Sequence, residues 1–145
     1  MTPSLAVAAA GVCCWLGMVV AISFIEAPLK FRAPGITLQL GLGIGRLVFR
    51  ALNTAEAVLA AVVLAALAAG APPAGAWAAV LVAVGTLVAQ VVAVRPVLHR
   101  RSDAVLAAAP GAPGPARRSR AHYAYVALEV VKVVALVVAA VLLFG

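Results

Sequence analysis

The sequence predicts an all-α polytopic membrane protein: one domain over residues 1–145, built as an antiparallel bundle of four transmembrane helices. Three observations carry this. The chain is 66% hydrophobic and 10% charged, with a mean hydropathy of +1.18, too apolar for a soluble domain of this length. Its apolar residues fall in continuous runs of about 20, enough to cross roughly 30 Å of hydrocarbon as a helix. Those runs do not alternate in polarity, which argues against a membrane β-barrel.

The first span is expected at residues 5–25. Met1 to Ser4 carry no basic residue and the apolar run is too long for a signal-peptide core. The span should stop at Glu26, because Pro28 disfavours helix at the residue before it. Trp15, near the middle, is expected to face another helix. Cys13 and Cys14 are adjacent, a poor arrangement for a disulfide, and read as small packing residues.

The connector LKFRAPGITLQLGLGIG follows. A helix starting near Pro34 would run well over one membrane thickness. An interfacial segment from Ile36, loosened at Gly41, Gly43 and Gly45, is therefore expected before a second span at residues 47–68. The Gly-x-Gly-x-Gly run lacks the preceding strand of a nucleotide site. Gly41 and Gly45 at GxxxG spacing suit close helix approach or a bend instead.

The turn GAPPAG leads to a third span at residues 77–94, with Trp77 placed as an interface anchor and Gln90 near the far end. Arg95, Pro96, His99, Arg100 and Arg101 mark the exit. Residues 107–116, AAAPGAPGPA, read as a linker. Arg117, Arg118 and Arg120 precede the fourth span at residues 123–144.

Four spans place loops 27–46 and 95–122 on one side. Those loops hold Lys30, Arg32, Arg95, Arg100, Arg101, Arg117, Arg118 and Arg120, and the opposite side holds no loop charge. The positive-inside rule then puts both basic loops in the cytoplasm and both termini outside a bacterial inner (plasma) membrane. The net charge of +7 is explained by this topology, and no nucleic-acid partner is expected.

Within the apolar runs lies a polar stripe. Arg46, Arg50 and Asn53 follow i, i+4, i+7, and Glu56 comes one turn later. On the last span Tyr125, Glu129 and Lys132 line one face below His122. Glu56, Glu129 and Lys132 should lie at similar depth, near the midplane. An ionisable group there costs on the order of 3 kcal/mol, so these three should turn inward and pair. Arg50 is expected to reach Glu129 or a headgroup phosphate, and Glu26 to meet Arg46 or Arg95.

His99 and His122 are the residues that invite a metal or haem reading, but neither has a companion ligand at motif spacing. No metal or other cofactor is expected. The sequence contains no nucleophile elbow, HExxH, CxxC or P-loop.

The runs FIEAPLKFRAPG, GLGIGRLVFRALNTAE and HYAYVALEVVK resemble small four-helix bacterial membrane proteins of uncharacterised families. They are similar to the unknown-function family that includes the cisplatin-resistance-associated transmembrane protein of animals. The resemblance covers the first two spans and the start of the last. It implies the four-helix fold and brings no chemistry with it.

The leading functional expectation is an oligomeric transporter or channel that uses Glu56, Glu129 and Lys132, with Arg46 and Arg50 at the cytoplasmic mouth. The alternative is a non-catalytic accessory or assembly subunit whose stripe docks a partner helix. A lipid- or quinone-linked membrane enzyme ranks third. Beyond the bilayer, the expected partner is a second copy or a membrane subunit, since small residues on every helix allow close contact.

Overall fold

The computed structural model describes residues 1–112 and 119–145. Within them all regular structure is helical, and four helices are long and apolar enough to cross a membrane. They are α1 (Pro3–Arg32), α2 (Leu38–Ala69), α3 (Ala74–Ala107) and α4 (Arg120–Phe144). Thr2, Thr37 and Ser119 cap α1, α2 and α4, each side chain accepting from the backbone N–H three residues on. The linker residues 113–116 and the basic pair Arg117 and Arg118 lie outside the described residues.

All four helices are longer than expected, α4 only by its first turn from Arg120 and the other three by more. α1 continues past Pro28 and ends in a 3₁₀ turn, Lys30–Arg32. α2 runs unbroken through Gly41, Gly43 and Gly45, so no separate interfacial segment precedes it. Thr37 supplies its start, and the end of α1 packs along its first turns. The ring of Phe31 fills the place a Cβ at Gly41 would take, and Lys30 Nζ lies 2.9 Å from where one at Gly45 would be. α3 continues past Arg95 and Pro96 for three more turns.

Both proline crossings share one device. A π-helical turn, Val20–Glu26 in α1 and Gln90–Val94 in α3, ends two residues before the proline. In each, an N–H reaches five residues back: Ala27 to Ile22 and Arg95 to Gln90. Proline has no N–H and its ring crowds the carbonyl four residues earlier. The wider turn absorbs that misfit and lets the helix continue.

The helices form a ring in the order α2, α1, α4, α3, and α2 and α3 touch least although a short turn joins them. The core is made of small and branched residues, among them Ala8, Val12, Val63, Leu67, Val80, Ala83, Leu136 and Ala139. Close approach of α1 and α2 depends on Gly11, where a Cβ would come within 2.7 Å of Val63 Cγ2. Trp77 is partly buried against this core.

Val58, Val62, Val88, Val130, Val134, Val138 and Val141 point outward, while Asn53, Glu56, Gln90, Glu129 and Lys132 are enclosed. An apolar exterior around a polar centre fits a lipid solvent, not water. Cys13 and Cys14 belong to that exterior and do not pack internally as expected.

Candidate functional site: a buried charge centre

Lys132 sits at the middle of the bundle with no exposed surface. Its ammonium donates to Glu56 Oε1 at 2.7 Å and to Glu129 Oε2 at 2.9 Å. The second bond is local to α4, because residues three apart share a helix face. The first joins α4 to α2. Glu56 is fully buried and Glu129 nearly so.

Both carboxylates accept further bonds, from α1, from α3 and, for Glu56, from its own helix. Trp15 Nε1 of α1 donates to Glu56 Oε1 at 2.8 Å. Ser23 Oγ, also of α1, donates to Glu129 Oε1 at 2.5 Å. Gln90 Nε2 of α3 donates to Glu129 Oε2 at 2.5 Å and to the Tyr125 carbonyl at 3.3 Å. With its amide oriented to satisfy both neighbours, Asn53 donates to Glu56 Oε2 at 3.1 Å and accepts from Arg95 at 2.6 Å. All four helices thus converge on two carboxylates.

Ser23 and Gln90 both stand in the π turns. A π turn inserts an extra residue into the helical repeat and shifts the phase of the side chains around it. The turns that let α1 and α3 pass their prolines are therefore the same turns that bring polar side chains to Glu129.

Of the residues expected in the stripe, Asn53, Glu56, Glu129 and Lys132 meet in this network. Tyr125 joins through its carbonyl, and its ring stands edge-on to Phe49. Arg46, Arg50 and Glu26 stand apart from it. Arg46 pairs at the surface with Asp103 of α3, at 2.5 Å. Arg50 is exposed and does not reach Glu129, because six residues at 3.6 per turn place it about 120° around α2 from Glu56. Glu26 meets neither Arg46 nor Arg95 and instead pairs with Lys30 at 3.4 Å. Continuation of α1 past Pro28 puts that lysine one turn further on.

Sequence reasoning missed Trp15, Ser23 and Arg95 as members of the centre, and Asp103 as the partner of Arg46. Gln90 had one available signal, a lone amide within an apolar run. Two buried polar atoms at the centre lack a hydrogen-bond partner among the described residues, Gln90 Oε1 and Tyr125 Oη. Also among the described residues, no three His, Cys, Asp or Glu side chains group as metal ligands. Comparison with protein-family models, curated proteins and solved structures returns no match, so the functional reading rests on the residues themselves.

Proposed function

We propose that the protein is a small ion-coupled transport protein of a bacterial inner membrane, working as a dimer or larger assembly. Its coupling group is the Glu56–Lys132–Glu129 centre. Both termini lie outside and the arginine-rich ends of α2, α3 and α4 face the cytoplasm. The observation that carries this reading is a lysine shared by two carboxylates of different helices, beside two unpartnered polar atoms. Gln90 Oε1 and Tyr125 Oη leave hydrogen-bonding capacity beside the carboxylates that the described side chains do not use. Intramembrane ionisable groups mark ion pathways and proton relays for the same energetic reason.

The chemistry available is charge exchange. A proton arriving on Glu56 would reduce the ion pair between α2 and α4 to a hydrogen bond onto a neutral carboxyl and leave the charge of Lys132 to Glu129 on its own helix. The contact between those helices would then depend on proton occupancy. Four short helices enclose no wide path alone, which is why an assembly of copies belongs to the proposal.

A second reading has its own support. Every carboxylate oxygen of Glu56 and Glu129 is matched, as in a centre that fixes helix register or docks a partner subunit. Purified protein in proteoliposomes with an internal pH reporter separates the two. Transport requires that Glu56→Gln abolish flux while the protein still folds and assembles. Flux unchanged by Glu56→Gln, with assembly lost in Lys132→Met and regained in the double variant, would leave the accessory reading.

A further inference from the structure

α2 and α3 separate along part of their length and flank an open groove of about 440 Å³. Its walls are mostly apolar, with Thr54 and Ala57 on one side and Leu87, Val88, Val91 and Val92 on the other. Its polar end is formed by Arg50, Asn53 and Arg95. Beyond that end the two helices are tied together again. Arg46 pairs with Asp103, and Gln39 Nε2 donates to the Val105, Ala108 and Ala109 carbonyls at the end of α3. The groove is thus closed toward the loops and open along the outer face, where Val88, Val91 and Val92 are exposed.

The charges lining it are one-sided. Two guanidinium groups stand there and none of the lining residues is acidic. Arg95 is held by Asn53 and approaches His99 Nε2 at 3.5 Å. The Arg50 guanidinium has no partner among the described residues. The acids nearest in sequence are engaged elsewhere, Glu56 with Lys132 and Asp103 with Arg46.

We propose that this groove binds an anionic phospholipid, its phosphate between Arg50 and Arg95 and one acyl chain along the Val88–Val91–Val92 wall. Guanidinium forks match phosphate oxygens in geometry and charge, and a basic pocket between membrane helices suits an acidic headgroup. A soluble anion would leave the apolar wall unused, and a neutral lipid would leave Arg50 unbalanced. The site stands independently of whether the buried centre moves ions, and its test uses no flux measurement.

The test measures binding of phosphatidylglycerol to the full-length protein in phosphatidylcholine nanodiscs, by competition with a fluorescent phosphatidylglycerol. Arg50→Gln should weaken binding by about fivefold to tenfold. Val91→Trp, which fills the apolar wall and leaves both arginines in place, should weaken it comparably. Arg100→Gln changes an exposed arginine of the same helix outside the groove and should have no effect. Arg50 and Val91 are both exposed, so neither variant threatens the core. Unchanged binding in Arg50→Gln or in Val91→Trp overturns the proposal. So does an equal loss in Arg100→Gln, which would indicate general surface attraction, or displacement of the lipid by inorganic phosphate, which would indicate a soluble-anion site.

Discussion

Replacing Lys132 by methionine is the most informative perturbation of the centre. Methionine keeps much of the length and the apolar stem, so the change is mainly the loss of one charge. Lys132 Nζ lies within 2.9 Å of both carboxylates and none of it is exposed. Without it Glu56 and Glu129 remain buried among neutral donors, Trp15, Ser23, Gln90 and Asn53. Removing one partner of a buried ion pair costs about 3–5 kcal/mol in soluble proteins. In a membrane the unfolded helices also find partners, which reduces the difference, so about 2–4 kcal/mol is expected. That stands well above the roughly 0.6 kcal/mol typical of a neutral interhelical hydrogen bond. Reversible unfolding in mixed detergent micelles measures it, with tryptophan fluorescence in a Trp77→Phe background reporting the centre through Trp15. The variant carrying both Glu56→Gln and Lys132→Met removes one of the two stranded charges and should recover about half of the loss. A cost under about 1 kcal/mol for Lys132→Met, or a double variant no more stable than the single, would refute the pairing account.

Three further outcomes follow from the same geometry. Trp15→Phe removes one of the two donors to Glu56 Oε1 and part of a fully buried ring, and should cost about 1–3 kcal/mol when unfolding is followed by circular dichroism. Gly11→Ala puts a Cβ within 2.7 Å of Val63 Cγ2, and a cost of about 1–3 kcal/mol should be partly reversed by adding Val63→Ala. Asp103→Asn breaks a pair whose carboxylate side chain is 61% exposed, so the melting temperature should reflect a change of no more than about 1 kcal/mol.

The core of the site was legible because charge in hydrocarbon is costly enough to dictate its own surroundings. Glu56, Glu129 and Lys132 had to turn inward, and the three-residue spacing of the last two fixed one of their contacts in advance. Neutral groups impose no comparable demand. Trp15 was expected to face another helix, but nothing in the apolar run marked its N–H as a donor to Glu56, and Ser23 looked like an ordinary member of the run whose inward placement depends on a π turn. Arg95 was hidden for another reason. Arginines at the end of a span serve topology whether or not they also bind something, so its link to Asn53 left no mark in the spacing. Helix length was misread where local preference lost to packing: glycines at 41 and 45 weaken an isolated helix, but here they receive Phe31 and Lys30.

Charge balance separates the two polar regions of the bundle. The inner network holds Glu56 and Glu129 against Lys132 and, through Asn53, Arg95. Two acids meet two bases, with Arg95 shared between this network and the groove it also lines. One turn outward on α2 the balance fails, since Arg50 adds a positive charge that no acid answers. A neutral centre can be sealed by the valine exterior at little electrostatic cost, whereas an unanswered guanidinium cannot be. The bundle is accordingly packed tight around Lys132 and left open between α2 and α3, at the level where a counter-charge must come from outside the chain.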